Sequence, residues 1–85
     1  MKVAVTADGA KQFIFCPACK HAHGYDTARW RWNGEQEKAT FTPSHVHTGA
    51  NGKCHINVTD GIIIFHPDCE HPLRGTRVPL PDIDS

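Results

Sequence analysis

Apolar and polar residues alternate along several short runs of this chain, which is typical of β-strands that bury one face. The clearest pair of runs covers residues 54–59 and 62–66, and a two-residue Asp-Gly segment separates them. Such a segment between β-type runs predicts a tight hairpin. Residues 2–6 and 11–15 form another pair, again joined through a turn that contains Asp-Gly, and they predict a second hairpin.

The remaining segments predict shorter or weaker elements. Arginine and tryptophan alternate over residues 29–32, which indicates a strand with one buried face. Residues 38–42 predict a weak strand that ends at a proline, and residues 76–84 contain two prolines and predict at most an edge strand. Residues 20–27 and 44–53 are rich in His, Gly, Thr and Asn, so we expect loops there.

The chain is short for a fold that stabilises itself. Its 85 residues predict a single zinc-binding β domain over residues 1–85, and only 39% of them are hydrophobic. A chain of this size buries too little apolar surface to fold readily without a further constraint, such as a metal ion or disulfides. We therefore predict a small, mostly β, zinc-ribbon-like fold in which several short antiparallel hairpins surround one structural zinc ion.

Composition indicates a compartment and argues against one class of partner. The N-terminus has no signal-peptide pattern and no stretch reaches the length of a membrane span, so we expect a cytoplasmic protein without membrane contact. Thiols stay reduced in the cytoplasm, and the four cysteines are then expected to bind metal rather than each other. Nine basic and nine acidic residues give no net charge, which argues against a broad nucleic-acid-binding surface.

The cysteine spacing predicts where that metal binds. Cys16 and Cys19 form a C-x-x-C pair, whose tight turn directs both sulfur atoms to one point. Cys54 lies on the apolar face of the predicted 54–66 hairpin, and Cys69 returns to that face if the strand continues. Four thiolates from a turn and a hairpin base predict a closed tetrahedral zinc site, which is structural rather than catalytic.

Histidines leave the ligand set open. His23 and His71 each follow a cysteine closely, and either could replace one cysteine to give a site of three cysteines and one histidine. We expect His71 to bind the zinc or to contact one of its ligands. His55 and His66 lie opposite each other on the other face of the hairpin, where they bind a metal or face solvent. The remaining histidines are expected in solvated loops: His21, His45 and His47. The predicted metal ligands are Cys16, Cys19, Cys54, Cys69 and His71.

The sequence also resembles a known family, through motifs that occur in order along most of the chain after residue 12. These motifs are Phe15-Cys16-Pro17-x-Cys19-x-x-x-His23, Trp30-x-Trp32-Asn33-Gly34, Thr40-Phe41-Thr42-Pro43-Ser44, Cys54-His55, Asp60-Gly61-x-Ile63, Asp68-Cys69-x-His71 and Val78-x-Leu80-Pro81-Asp82-Ile83. The family consists of small proteins encoded by bacteriophages and prophages, many labelled ammonia monooxygenase, a label that nothing in this sequence supports. The resemblance implies a small zinc-binding protein but no particular reaction. Its metal-type positions fall on Cys16, Cys19, His23, Cys54, His55, Cys69 and His71.

We expect the chain to act as a zinc-stabilised binding module on a host or phage macromolecule, and on a protein rather than a nucleic acid. A nucleic-acid contact stays open through residues that offer cations and stacking surfaces: Arg29, Trp30, Arg31 and Trp32. The chain has few other large apolar residues, so we favour a place in the core for both tryptophans.

The alternative is an enzyme, a small metal-dependent hydrolase or nuclease that uses the histidine-rich cluster beside the zinc. The candidate groups around a metal-bound water are His23, His55, His71 and Asp68. A catalytic zinc has three protein ligands and an open position, whereas four cysteines would close the site. The sequence therefore assigns no catalytic residue, and we expect a binding function before an enzymatic one.

Overall fold

The computed structural model describes residues 1–50 and 52–83 of the chain. Residue 51 of the predicted 44–53 loop, residue 84 of the predicted 76–84 edge strand and residue 85 of the predicted domain lie outside the described residues. The described residues form eight strands: β1 (Ala4–Val5), β2 (Lys11–Cys16), β3 (His21–Asp26), β4 (Arg31–Trp32), β5 (Phe41–Gly49), β6 (Gly52–Thr59), β7 (Ile62–Phe65) and β8 (Arg77–Pro79). Across this described part, no helix has the length and apolar character that crossing a membrane requires.

The strands form two antiparallel sheets, and within each sheet every strand pairs with its neighbour in the chain. One sheet has three strands in the order β1-β2-β3, and the other has five in the order β4-β5-β6-β7-β8. Consecutive antiparallel pairing is the arrangement that short hairpin connections allow. The predicted class, a small β fold of antiparallel hairpins around a Cys/His cluster that could hold a metal ion, is confirmed.

The β6–β7 hairpin has the predicted register. Val58 pairs with Ile63, and the turn between them consists of Asp60 and Gly61, with φ angles of 51° and 76°. Positive φ at both turn positions matches the right-handed twist of the flanking strands. A Cβ atom on Gly61 would lie 2.7 Å from the carbonyl oxygen of Glu37, so the close approach of that loop also requires glycine.

Both predicted loops are largely strand, and the loop prediction for them is wrong. Segment 20–27 contains β3, while segment 44–53 contains most of β5 and the start of β6. The alternating pattern is present, but histidines form its buried face, since His23 is 2% and His45 is 8% exposed. Strand prediction relies on the alternation of apolar and polar residues, and histidine counts as polar in such a pattern. The histidines assigned to solvated loops therefore lie on strands: His21 on β3, and His45 and His47 on β5.

The predicted 29–32 strand is shorter than expected, because β4 contains only Arg31–Trp32. The carboxylate of Asp26 accepts hydrogen bonds from the backbone N–H groups of Ala28 and Arg29, each at 3.0 Å, and this turns the chain before the strand begins. At the other end of the chain, β8 forms the outer strand of its sheet, as the two prolines predicted.

One core of buried side chains joins the two sheets. The ring of Tyr25 on β3 stacks on that of Phe41 on β5, with centroids 4.0 Å apart and an interplanar angle of 15°. Trp30 and Trp32 are half-buried and pack against this core. The buried residues are Val3, Ile14, Cys16, Cys19, Tyr25, Ala39, Phe41, Cys54, Ile56, Val58, Ile63, Phe65, Cys69 and Leu80. All four cysteines therefore belong to the core, which places any metal they bind at the junction of the sheets.

Candidate active site and metal centre

The C-x-x-C segment forms a tight turn at the end of β2. The backbone N–H of Cys19 donates to Sγ of Cys16 at 3.4 Å, and that of Lys20 donates to the Cys16 carbonyl oxygen at 2.7 Å. Lys20 has a φ angle of 62°, which closes the turn. An N–H donor to one sulfur lowers the cost of charge on it, and the turn brings both sulfurs to the same side, as metal binding requires.

Four buried residues converge at this turn and form the thiol cluster: Cys16, Cys19, His23 and Cys54. Their ligand atoms all lie within 4.8 Å of one another, and none of the cysteines is in a disulfide. Both ring nitrogens of His23 are buried and have no hydrogen-bond partner. Buried polar atoms are rarely left unpaired, so this imidazole fits a site completed by a cation. The cluster could therefore hold a metal ion, and thiolate with imidazole suits zinc and similar borderline metals.

The electrostatics of the cluster favour a cation as well. The neighbouring Cys54 thiol, acting as a hydrogen-bond donor, lowers the pKa of Cys16, so negative charge is shared within the cluster. Burial raises the pKa of Cys19 to about 11, and the nearby Cys16 sulfur acts in the same direction. A bound cation would offset the repulsion between the sulfurs and allow several of them to be thiolates at once.

The last two predicted ligands lie beside the cluster rather than among its four residues. Ligand atoms of Cys69 and His71 form a second group with Cys54, again within 4.8 Å of one another. The His71 Nδ1 atom accepts a hydrogen bond from the Leu73 backbone N–H at 3.2 Å, so its proton resides on Nε2. Nε2 lies 3.4 Å from Sγ of Cys54 and donates to it.

Cys69 connects the cluster to the opposite face of the hairpin. Its Sγ atom lies 3.2 Å from both the backbone nitrogen and the carbonyl oxygen of His55, accepting from the first and donating to the second. Side chains of a strand alternate between faces, so Cys54 points into the core while the next residue, His55, points away from it. The thiol of Cys69 thus contacts the backbone that presents the His55 ring.

On that opposite face, three side chains form a continuous hydrogen-bonded chain, here called the triad: Ser44, His55 and Asp68. The Ser44 hydroxyl lies 3.0 Å from Nε2 of His55. Nδ1 of the same ring lies 3.1 and 3.3 Å from the two carboxylate oxygens of Asp68. A hydroxyl on one imidazole nitrogen and a carboxylate on the other is the arrangement that lets histidine take a proton from serine.

An irregularity in β5 presents the serine. Phe41 pairs with Val58 and His45 pairs with Ile56, so three residues of β5 lie opposite a single residue of β6 between these pairs. Bulges of this kind re-aim side chains and occur often beside active sites. The indole N–H of Trp30 donates to the Ser44 carbonyl oxygen at 3.4 Å, which anchors the irregular segment from the other side.

Neighbouring side chains fix the other two members. The His55 ring stacks on that of His66, with centroids 3.9 Å apart and an interplanar angle of 9°. Asp68 also pairs with Lys53, whose Nζ atom lies 2.7 Å from Oδ2. The hydrogen bond from Lys53 holds the pKa of Asp68 below its ordinary value, which keeps the carboxylate ionised beside the imidazole.

The sequence pattern does not reveal Ser44, because this residue lies in a segment whose composition predicts a loop, and serine is not a typical metal ligand. The only signal for it was the resemblance, whose motifs end or begin at all three triad positions: Thr-Pro-Ser at Ser44, Cys-His at His55 and Asp-Cys at Asp68. Of the residues considered for nucleic-acid contact, Arg29 and Arg31 are exposed, whereas the two tryptophans contact the core.

Comparison with known proteins assigns a family. A family model described as bacterial ubiquitination-like system serine protease (BubE) matches residues 1–66, which include Ser44 and His55 of the triad and the whole thiol cluster. The searches of curated proteins and of solved structures found no match. The family match covers well over half of the 85 residues. The chain therefore belongs to the BubE family of bacterial ubiquitination-like system serine proteases.

Proposed function

We propose that this chain is a serine protease in which Ser44 is the nucleophile, His55 the general base and Asp68 the group that orients the histidine. The observation that carries the proposal is the hydrogen-bonded chain from the Ser44 hydroxyl through the His55 ring to the Asp68 carboxylate. The serine-protease description of the matched family supports it independently. The residues occur in the order Ser, His, Asp along the chain, and such triads are identified by geometry rather than by order.

In the proposed reaction, the Ser44 oxygen attacks the carbonyl carbon of a peptide or isopeptide bond while its proton moves to Nε2 of His55. The Asp68 carboxylate accepts the hydrogen bond from Nδ1–H and stabilises the imidazolium that forms. The imidazolium then protonates the leaving amine, which departs and leaves an acyl group on Ser44. Water, deprotonated by the same His55 nitrogen, hydrolyses this ester and restores the serine.

We propose zinc as the ion of the thiol cluster, held by Cys16, Cys19, Cys54 and His23. Three sulfurs and one imidazole form a set that closes a tetrahedral zinc site, and bound zinc would supply folding free energy rather than chemistry. The proposed ligands include three of the cysteines predicted from the sequence, Cys16, Cys19 and Cys54, and add His23. Cys69 and His71 then act on the site through hydrogen bonds, to the His55 backbone and to Cys54 respectively.

The family description also supports a setting for the enzyme. We propose that its substrate is a protein of a bacterial ubiquitination-like system, which replaces a general binding role on a host or phage macromolecule. Four unpaired cysteines fit a reducing compartment, so we retain the cytoplasm as its location. A phage or prophage origin rests on the sequence resemblance alone, and the genes that flank the coding sequence test it.

The second candidate function is metal-dependent hydrolysis on the same face. Ligand atoms of His55, His66 and Asp68 lie within 4.8 Å of one another, as in a metal site with an open position. Two contacts argue against it: the ammonium of Lys53 already pairs with Asp68 at 2.7 Å, and Nε2 of His55 is directed at the Ser44 hydroxyl.

Covalent labelling with a fluorophosphonate probe separates the two candidates. The sequence contains only two serines, Ser44 and Ser85, so Ser85→Ala is a matched control for Ser44→Ala. We expect labelling at Ser44, confirmed by mass spectrometry, in the wild type and in Ser85→Ala, and none in Ser44→Ala or His55→Ala. Cleavage should fall by roughly 10⁶-fold in Ser44→Ala. Absence of labelling, together with hydrolysis that survives Ser44→Ala and requires added metal, would support the metal-dependent candidate instead.

A further inference from the structure

Two His-x-His segments on neighbouring strands form a second group of ligands that the triad does not use. Residues two apart share a face of a strand, so His21 and His23 project together from β3, and His45 and His47 project together from β5. These four residues form the histidine cluster. The ring of His23 lies at its centre, with centroids 5.2 Å from His21, 5.5 Å from His45 and 4.8 Å from His47.

Free lone pairs in the histidine cluster are available for an ion. Nδ1 of His21 lies 3.0 Å from the Ala22 carbonyl oxygen and must donate to it, which leaves Nε2 unprotonated in the neutral ring. The ligand atoms of His21, His23 and His47 lie within 4.8 Å of one another. Both ring nitrogens of His23 are buried without a hydrogen-bond partner. An ion in the thiol cluster would use one of them, which leaves the other for a second ion.

We propose that His21, His23 and His47 bind a second divalent transition-metal ion, and that His23 joins it to the thiol cluster as an imidazolate. The ring would release its remaining N–H proton to solvent, which frees one nitrogen for each ion. Three imidazoles are a donor set for zinc, copper or nickel. The site would explain why His23 is buried with two unpaired nitrogens, since one ion leaves one of these nitrogens unsatisfied.

His45 completes the wall of the site: its Nε2–H donates to the Gly24 carbonyl oxygen at 2.9 Å, and its ring stacks on Trp30 with centroids 5.0 Å apart. This inference does not depend on the proposed protease activity.

Metal stoichiometry tests the proposal directly, with zinc and cobalt as probes. We expect two zinc ions per wild-type chain in equilibrium dialysis followed by elemental analysis. The double variant His21→Ala/His47→Ala changes an exposed and a half-buried side chain, so it should fold and retain one ion. Its affinity for the second ion should fall by more than about 100-fold, since these residues bind the metal directly. The thiolate-to-cobalt absorption band should be unchanged, which shows that the thiol cluster is intact.

The matched variant His66→Ala removes a histidine of the other face and should keep both ions. One zinc ion per wild-type chain at saturation would overturn the proposal. A second ion that is lost in His66→Ala but kept in His21→Ala/His47→Ala would also overturn it, because that ion would then lie at His55, His66 and Asp68.

A separate observation points to a substrate contact, and it rests on the proposed protease function. An open pocket beside the nucleophile is lined by Arg29, Trp30, Arg31, Thr42 and Pro43, among others. Thr42 and Pro43 immediately precede Ser44, and Trp30 hydrogen-bonds the Ser44 carbonyl oxygen. In the described residues, no carboxylate lies within ion-pair distance of either arginine.

We infer that this pocket binds an acidic side chain of the substrate, one or two residues from the bond that is cleaved. Two exposed guanidinium groups complement a carboxylate, and arginine binds carboxylates with two parallel hydrogen bonds. Strand β4, which carries Arg31, pairs with β5, which carries the nucleophile. This pairing fixes the distance between the pocket and the scissile bond. The occupant is therefore a peptide with Asp or Glu near its cleavage site rather than a nucleic acid.

Matched peptides that differ by Glu or Gln at a single position test this inference. We expect kcat/KM to favour the Glu peptide by about 10-fold in the wild type, as for a charge-assisted hydrogen bond. The preference should vanish in Arg29→Gln/Arg31→Gln and persist in Arg77→Gln, which changes an exposed arginine on β8. Equal cleavage of both peptides by the wild type, with Ser44 still labelled, would overturn the acidic preference but leave the triad intact. Loss of Ser44-dependent cleavage altogether would overturn both.

Discussion

The thiol cluster and the triad lie on opposite faces of one hairpin and are adjacent in sequence at Cys54-His55. Asp68 of the triad likewise precedes Cys69, whose sulfur contacts the His55 backbone. The cysteines of the cluster are at most 7% exposed. The His55 and Asp68 side chains are 22% and 49% exposed. For Cys54 and His55, strand alternation produces this difference, because consecutive residues of a strand face opposite sides.

The difference in burial corresponds to a difference in role. A closed metal site stabilises a small fold only if water and competing ligands are excluded, so its ligands belong in the core. A nucleophile and its base must reach a substrate, so they stay at the surface and depend on hydrogen bonds to hold their geometry. One hairpin therefore serves both purposes by dedicating one face to stability and the other to the proposed chemistry.

Removing the metal is the largest test of this division. Chelation, or Cys16→Ser, should unfold the domain, because metal binding supplies about 10–16 kcal/mol in comparable small zinc units. The dispersion of amide signals in an NMR spectrum reports the fold. Ser44→Ala changes only the other face and should keep the native spectrum. A chelated sample that retains native dispersion would show that the core stabilises the fold without the metal.

The next largest effect concerns the triad alone. Asp68→Asn should lower kcat by about 10⁴-fold, because an amide no longer holds the histidine in the reactive tautomer. The free energy of unfolding should change little, since Asp68 is half exposed. Asp60→Asn is the control, because Asn-Gly suits the same hairpin turn. An equal loss of activity in both variants would indicate a general disturbance of the hairpin rather than an effect on the triad.

The thiol cluster and the triad also differ in how far the sequence predicts them. The β6–β7 register and the C-x-x-C turn follow from local rules: a two-residue turn fixes which residues pair, and a two-residue spacing fixes where two sulfurs point. These rules place Cys16, Cys19 and Cys54 without knowledge of the rest of the fold. Three of the four residues in the thiol cluster were therefore predictable.

The triad was predictable only in part. The sequence offers His55 and Asp68 as hydrolytic groups beside a metal, but Ser44 meets them only through long-range pairing. Ser44 reaches His55 through the β5–β6 ladder, and that ladder contains an irregularity which no local pattern signals. The sequence offers His23 as an alternative ligand, but its burial depends on β3, and the polar residues of β3 predict a loop rather than a strand. The core of a small metal-binding protein is thus easier to infer than the side chains that assemble on its surface.

A smaller effect is expected at the contact between His71 and the cluster. His71→Ala removes the hydrogen bond from Nε2 to Sγ of Cys54 and should weaken metal retention by roughly 10–100-fold. Competition with a chelator of known affinity measures this change. His66→Ala, on the triad face, should leave the retention by the thiol cluster unaltered. A loss much larger than 100-fold would make His71 a ligand, and no loss would show that Cys54 needs no orienting contact.

The smallest effect is expected on the free energy of unfolding, through the ion pair between Lys53 and Asp68 on the triad face. The Lys53 ammonium lowers the pKa of Asp68 below its ordinary value of 3.8. A carboxyl whose folded-state pKa is lowered adds stability at pH values above its unfolded-state pKa, and this stability is lost as the pH falls through the folded-state value. Lys53→Met should therefore be slightly less stable than wild type at neutral pH. The difference should begin to shrink near pH 3.8 and vanish below the lowered folded-state pKa of Asp68. Urea denaturation over a pH series measures it, and elemental analysis at each pH shows whether both proteins still hold their metal. Lys38→Met removes another exposed lysine, which has no ion pair among the described residues, and should show no such trend. A difference that grows toward acid pH would mean that Lys53 stabilises the fold through something other than the ionised form of Asp68.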